Sequence, residues 1–255
     1  MTMEKALVSV VMPAYNMERF IEAAIRSVQV QTYENWELLV IDDCSGDRTC
    51  EIVAELAAQD TRIRLIRNEE NMGVAKTRNR GFELAQGQYV ALLDSDDLWR
   101  SEKLDSQLRL AQTTGADIVY CSYAMVDEEG RSVCKDFLVP EATDFDASAT
   151  RMVISCSTAL LAETVFRKYR FHSGYYHEDL VFWLQILNDG LTARGVGEIL
   201  ADYRLRSGTR ASNKIRSAMN RWTVYRRYFG FSLGKSARLL ARYAFYGVAK
   251  YRRKR

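Results

Sequence analysis

Tyr89-Val90-Ala91-Leu92-Leu93-Asp94-Ser95-Asp96-Asp97 is the stretch on which the reading of this chain turns. An apolar run stops at three acids set within four residues. Such a run reads as a buried strand, which brings the acids out at its C-terminal end. Carboxylates that close repel one another unless a cation sits among them. Hard cations such as Mg²⁺ bind through one or two carboxylates plus substrate phosphates. The simplest chemistry is then a metal-held phosphate ligand at a strand end. An acidic helix start explains the same residues equally well, since Asp favours N-caps and first turns.

The flanking sequence alternates strand and helix patterns. Residues 7–12 (LVSVVM) read as a strand, with Pro13 and Asn16 in the turn after it. Residues 18–31 carry Phe20, Ile21, Ala24, Ile25 and Val28 at helical spacing. A second strand, 38–41, is stopped by Asp42-Asp43, and a helix over 48–59 follows. Residues 63–66 predict a third strand, Asn71-Met72-Gly73 a turn, and 74–85 a helix. The fourth strand is 89–93, followed by a helix over 101–113 and a fifth strand over 118–123. Strands separated by helices predict βαβ units and a mostly parallel α/β sheet. Ligands bind beyond the carboxyl ends of such strands. Here three ends carry Pro13-Ala14-Tyr15-Asn16, Asp42-Asp43 and Asp94-Ser95-Asp96, so convergence on one ligand is expected.

Beyond 124 the pattern is irregular. Asp127-Glu128-Glu129-Gly130 reads as a hairpin turn between 118–125 and 132–139, and residues 140–177 suit an acceptor-facing part. His177-Glu178-Asp179 opens a helix bearing Leu180, Phe182, Trp183, Ile186 and Leu187, which Asp189-Gly190 ends. Val196 and 199–203 predict one more strand. Trp99 reads as a packing residue, Lys103 as solvated, and His172 and His177 as surface or packing residues.

A chain of 255 residues, 47% hydrophobic and 27% charged, is long enough for one large α/β domain, or for a domain with an appendage. Its five cysteines (Cys44, Cys50, Cys121, Cys134 and Cys156) are odd in number and lack CxxC spacing. That argues against a disulfide framework or a zinc site and fits a reducing compartment. The apolar run at 7–12 is too brief for a signal-peptide core, and no 18-residue uncharged apolar segment predicts a transmembrane helix. The net charge of +3 conceals an asymmetry: residues 204–255 hold sixteen Lys and Arg and no acid, and the remainder holds 20 basic against 33 acidic side chains. In the tail, Leu233, Ala237, Leu240, Ala244 and Val248 fall at helical spacing, and Lys235, Arg238 and Arg242 share another face. Aromatics from Trp222 to Tyr251 are interleaved. A basic amphipathic helix with aromatics predicts docking on an anionic bilayer. The competing reading packs these helices on the rest of the chain, with the charge as a solvated face. Nucleic acid is disfavoured because the rest of the chain is acidic.

Five motifs in order resemble the family 2 glycosyltransferases: V-S-V-V-M-P-A-Y-N, L-V-I-D-D-C-S-G-D-R-T, N-M-G-V-A-K-T-R-N-R-G, V-A-L-L-D-S-D-D and H-E-D-L-V-F-W-L. The resemblance spans about residues 7–210 and is of the bacterial surface-polysaccharide type. It implies a GT-A fold over 1–210, with a nucleotide-sugar half at 1–124 and an acceptor half at 125–210, followed by a basic helical tail at 211–255. It implies an inverting transfer of a sugar from a UDP-sugar to a saccharide acceptor, and the basic tail points to an acceptor on a polyprenyl or other lipid carrier. The expected place is the inner face of the plasma membrane, and the expected cofactor is Mn²⁺ or Mg²⁺. Carried over by residue, Pro13, Ala14 and Tyr15 line the nucleotide base, and Asp42 and Asp43 face the uracil or its ribose. Arg78 flanks the base and diphosphate. Asp94-Ser95-Asp96 is similar to the DxD motif, with Asp94 near the ribose and Asp96 on the metal. Glu178-Asp179 matches the ED motif that supplies the catalytic base. The family often has a metal-contacting His in a Y-R-x-H run. Here Tyr203-Arg204-Leu205-Arg206 puts Arg in that place, where it suits a diphosphate.

The chemistry agrees with this assignment. Negative charge builds on the leaving diphosphate, which a cation at Asp94 and Asp96 would neutralise. The incoming hydroxyl must lose a proton to a carboxylate on the opposite face of the sugar, Asp179 or its neighbour Glu178. Each motif also has a plain explanation: Glu178-Asp179 favours a helix N-terminus, Asp42-Asp43 is a polar strand stop, and Arg78 lies on a solvated helix face. A haloacid-dehalogenase-type phosphatase also places DxD after a strand, but it wants Thr or Val where Leu98 stands. A nucleotidyltransferase would carry a Gly-rich basic loop where Pro13-Ala14-Tyr15-Asn16 stands. A non-catalytic sugar-binding or membrane-surface protein would not need Asp94, Asp96 and Asp179 intact.

Overall fold

Strands β1 (Val8–Ala14), β2 (Trp36–Asp42), β3 (Ile63–Arg67) and β4 (Tyr89–Leu92) stand parallel in the order β3-β2-β1-β4. The computed structural model describes residues 5–206 and 214–252, with side chains in the last helices from 216 to 246. The expected boundary at 210/211, and the side chains of Val248 and Tyr251, lie outside the described residues. β1 is buried along its whole length and β2 almost so, which explains the unbroken apolar runs: helices cover both faces of the sheet. These crossover helices are α1 (Ile21–Gln29), α2 (Thr49–Ala57) and α3 (Val74–Leu84). α3 crosses β1 so closely that a Cβ on Gly81 would collide with the Val11 side chain.

The second half of the sheet is mixed. β5 (Leu98–Trp99) and α4 (Lys103–Thr114) precede β6 (Ile118–Val126). Then come β7 (Ala142–Thr143), α5 (Phe145–Arg151), a short 3₁₀ turn at Cys156–Thr158, β8 (Leu160–Ala162) and α6 (Glu163–Phe166). α7 (Glu178–Asn188) and β9 (Ala193–Arg204) complete this half. β8 lies antiparallel between β4 and β6, while β6 and β9 run parallel. Among the described residues, β7 and β5 each pair antiparallel with β9.

Two expectations need correction. The 127–131 turn forms, with Asp127 N donating to Arg131 O at 2.9 Å, but 132–139 is not a strand. It makes only the isolated bridges Val126↔Ser132 and Tyr123↔Phe137. Val133 and Leu138 are 47% and 69% exposed, while Phe137, stacked on Tyr123, and Val139, against the core, find apolar neighbours. Lys103 is not solvated. It is fully buried, donates to Gln107 Oε1 at 2.6 Å and lies 3.9 Å from the centre of the Trp99 ring. Burial lowers its pKa to about 8. Trp99 packs as expected and donates to Ser157 O at 2.7 Å.

α7 is apolar nearly all round because it is covered on two sides. Phe182, Trp183 and Ile186 join the core beneath the sheet, with Phe82 and Phe171. Leu180, Val181 and Leu184 join a second cluster with Val224, Tyr225 and Leu239. These last residues belong to a C-terminal unit of α8 (Lys214–Thr223), a π-helical turn at Val224–Tyr228 and α9 (Leu233–Arg252). The basic segment therefore packs on α5 and α7. Tyr225 is fully buried and its hydroxyl donates to Ala149 O at 2.7 Å. The buried face of α9 is Ser236 and Leu239, whereas the expected stripe residues Leu233, Ala237 and Ala244 are exposed.

Candidate active site

A cavity of about 580 Å³ opens where the carboxyl ends of β1, β2 and β4 meet the N-terminus of α7. Pro13, Ala14, Tyr15, Asp43, Arg78, Asp94, Ser95, Asp96, Glu178 and Asp179 all line it. Asp42 does not. It is fully buried below the turn after β2, where Oδ2 accepts from Ser45 N at 3.1 Å and lies 3.5 Å from Arg67 Nε. The expected acid pair therefore divides, with Asp43 towards the cavity and Asp42 beneath it, as alternation along an extended chain requires.

Side chains join the loops that form the mouth. Asn16 N donates to Ser45 Oγ at 2.9 Å, Met17 N to Thr49 Oγ1 at 2.7 Å, and Gly46 N to Asn16 Oδ1 at 2.9 Å. Tyr15 stands 47% exposed on this frame, a free aromatic face at the rim. Asp43 accepts from Asn68 Nδ2 at 2.7 Å, Met72 N at 2.9 Å and Gly73 N at 2.8 Å. Most of its acceptor capacity thus fixes the loop that starts α3, where Gly73 needs φ +81°.

Arg78 occupies the middle of the site. Its side chain is 5% exposed, with Nη2 2.6 Å from Asp94 Oδ1 and Nη1 3.1 Å from Glu178 Oε1. Burial opposes its charge, but Asp94, Cys156 and Glu178 outweigh that and raise its pKa. One guanidinium therefore ties the acid after β4 to the acid that opens α7. The solvated-face reading of Arg78 does not hold.

The three acids after β4 have separate surroundings. Asp94 pairs with Arg78, and its N–H donates to Ser157 Oγ at 3.1 Å. Asp97 is buried and accepts from Ser157 Oγ at 2.5 Å and Arg204 N at 2.8 Å. It is an internal anchor, and burial raises its pKa strongly. Asp96 faces the cavity, with Oδ2 3.2 Å from Arg206 Nη1. Ser157, Arg204 and Tyr176 were missed from sequence. Ser157 lies in an irregular stretch with no periodic signal, whereas Arg204 sat beside the noted Arg206.

Asp179 is half-buried in the cavity lining at the start of α7, its Oδ1 accepting from Leu180 N at 2.8 Å. Burial first, then the charge of Glu178, lifts its pKa from 3.8 to about 6. The C-terminal unit holds this turn: Tyr176 N donates to Asn220 Oδ1 at 2.9 Å, and His177 Nε2 lies 2.9 Å from Ser217 Oγ.

Among the described residues no three or more His, Cys, Asp or Glu close into a metal cage. The cavity-facing donors are carboxylate oxygens, hard ligands that suit Mg²⁺ or Mn²⁺ when a substrate's own oxygens complete the shell. Arg206 on Asp96 already acts as a stand-in cation. The residues fit such an ion, Asp96 better than Asp94, which has Arg78.

The family model described as Glycosyl transferase family 2 matches residues 9–151. This chain is a family 2 glycosyltransferase. The enzyme is 35% identical over 250 residues to the putative teichuronic acid biosynthesis glycosyltransferase TuaG of Bacillus subtilis, covering 98% of this chain and 99% of that one. It is 36% identical over 223 residues to WfgD of Escherichia coli, named as a UDP-Glc:α-D-GlcNAc-diphosphoundecaprenol β-1,3-glucosyltransferase, covering 87% and 86%. The fold matches that of Staphylococcus aureus TarS 1–349 in complex with UDP-GlcNAc, at TM-score 0.74 and 21% identity over 93% of this chain and 71% of that one. It also matches a Pyrobaculum calidifontis mannosyltransferase in complex with GDP-Man and Mn²⁺, at TM-score 0.71 and 17% identity over 95% and 70%. The expected GT-A fold stands. Among the described residues no helix is long and apolar enough to cross a membrane.

Proposed function

We propose that this glycosyltransferase moves a sugar, with inversion, from a UDP-sugar to a saccharide carried on a membrane lipid during surface-polysaccharide assembly. The observation that carries it is Asp94, Asp96 and Asp179 lining one cavity, with Arg78 joining the β4 end to the α7 end. A UDP-sugar laid with its base at Tyr15 and its diphosphate at Asp96 turns the anomeric carbon towards Asp179. The acceptor hydroxyl attacks that carbon from the side opposite the diphosphate. The new C–O bond forms as the bond to the diphosphate breaks, and the electron pair leaves with UDP. Asp179 takes the hydroxyl proton; a pKa of about 6 leaves it charged at neutral pH yet more basic than an ordinary carboxylate. Asp96 and Asp94 would hold Mn²⁺ or Mg²⁺, which when bound neutralises charge on the diphosphate. Arg78 keeps Asp94 and Glu178 in register across the cavity.

The lipid acceptor is supported by the name of the WfgD relative and by the outer face of α9. There Leu233, Ala237, Ala241, Ala244 and Phe245 are exposed beside Lys235 and Arg238. An apolar strip flanked by cations suits an anionic bilayer. The test of transfer is a UDP-sugar panel with a lipid-diphosphate-GlcNAc acceptor, using wild type, Asp96→Asn and Asp179→Asn. Turnover in wild type and its loss in both variants is expected; undiminished turnover in Asp96→Asn rejects the site. For the membrane, sedimentation with phosphatidylglycerol vesicles should fall in Arg238→Glu/Phe245→Ser. These positions face solvent, so the fold survives the change. Equal sedimentation rejects the docking face.

A further inference from the structure

Two arginines two residues apart behave differently at the end of β9. Arg204 is buried and tied to backbone: its Nε donates to Asp96 O at 2.7 Å, and Nη1 donates to the carbonyls of Glu128 and Asp127. Its guanidinium is thus held through Nε and Nη1 by main-chain carbonyls. Arg206 has no such anchors among its described contacts. Its side chain is 31% exposed, and beyond Asp96 its neighbours are Met17 Sδ at 2.9 Å and the Phe20 ring, 5.5 Å from centroid to guanidinium. A thioether is a weak acceptor, and a ring face holds a cation only softly. The one strong partner of Arg206 is thus the carboxylate that also faces the donor cavity.

We propose that Arg206 is an exchangeable counter-ion: it holds Asp96 when the donor is absent and passes to the donor's diphosphate when a divalent ion takes Asp96. This rests on the reading of Asp96 as the metal-bearing acid. A guanidinium and a divalent ion on one carboxylate repel at short range, so they compete for Asp96. Once released, the planar fork of Arg206 matches phosphate oxygens on the same wall of the cavity. Two consequences follow. Metal alone binds weakly, because it must displace Arg206. Metal and nucleotide tighten one another, because the displaced cation acquires a partner only when the diphosphate is present.

The test measures binding, not turnover. Free Mn²⁺ is followed by EPR in titrations of the full chain, with and without UDP, for wild type, Arg206→Ala, Arg206→Lys and Asp96→Asn. In Arg206→Ala, Mn²⁺ alone should bind about fivefold tighter or more, and the mutual tightening of Mn²⁺ and UDP should shrink by a similar factor. Arg206→Lys should keep the competition and lose part of the UDP coupling, since an ammonium lacks the fork. Asp96→Asn should abolish Mn²⁺ binding. Wild-type protein that binds no Mn²⁺ with or without UDP removes the metal reading, and this proposal with it. Mn²⁺ binding that Asp96→Asn abolishes but Arg206→Ala leaves unchanged overturns the exchange alone.

Discussion

Asp179→Asn should make the protein more stable and less active, and the gain should depend on pH in one direction. In the folded chain the Asp179 pKa rises from 3.8 to about 6, through burial first and Glu178 second. As pH increases, the unfolded chain gives up this proton first and the folded chain holds it longer. Stability contributed by the protonated carboxyl is therefore full below about pH 4 and lost by the time pH passes about 6. Each pKa unit corresponds to 1.36 kcal/mol, so keeping the charged form at pH 7.5 costs the fold about 3 kcal/mol. Asn keeps the acceptor that Leu180 N uses and carries no charge. At pH 7.5 the variant should be up to about 3 kcal/mol more stable, a rise of roughly 6–12 °C in Tm for a chain this size. At pH 4 the two should melt together. Removing the base should cost about 10²–10⁴ in transfer rate. Thermal melts of both proteins from pH 4 to 7.5, with transfer assays alongside, check this. Parallel pH curves, or a variant that melts lower at pH 7.5, would refute the claim that Asp179 is held charged against its surroundings.

Three further outcomes are expected. Arg78→Met removes the buried cation that bridges Asp94 and Glu178, so stability should fall by up to about 3–5 kcal/mol; a denaturant midpoint that hardly moves would show that the three are not coupled. Tyr225→Phe should cost about 1 kcal/mol through its lost hydrogen bond, whereas Tyr225→Ala should cost about 3–5 kcal/mol and also lower kcat, because α7 rests on it; destabilisation without a fall in kcat at a temperature where the variant is folded would separate α7 packing from catalysis. Chelation with EDTA should abolish transfer and added Mn²⁺ restore it, and Mn²⁺ should not restore Asp96→Asn; turnover that persists in chelator would exclude a role for the ion.

The parallel half of the sheet was legible because β1, β2 and β4 are buried on both faces and stop at polar residues that belong to the site. An apolar run ending in Asp-Asp or Asp-Ser-Asp marks the strand and its end together. β8 was not legible: three residues in an irregular stretch carry no period, and pairing with both β4 and β6 alone makes them a strand. Lys103 was misread because its partners, Trp99 and Gln107, become visible only once α4 packs. The helical period of α9 was legible, but spacing alone does not show that Ser236 and Leu239 form the side that packs on the rest of the chain. The pairing of Arg78 with Glu178, a hundred positions apart, has no local trace at all. The division of Asp42 from Asp43 does have one, because neighbours on an extended chain point opposite ways, and that argument was available from the sequence.

The brace on α7 comes from polypeptide made later than the turn it supports. The strand-end residues Pro13, Asp43, Asp94 and Asp96 come from the first half of the chain, whereas the start of α7 is braced by the last helices. The turn that carries Glu178 and Asp179 gains this brace only once α8 is in place. A chimera that trades C-terminal helices between relatives should therefore disturb the Glu178-Asp179 turn even when every residue lining the cavity is retained.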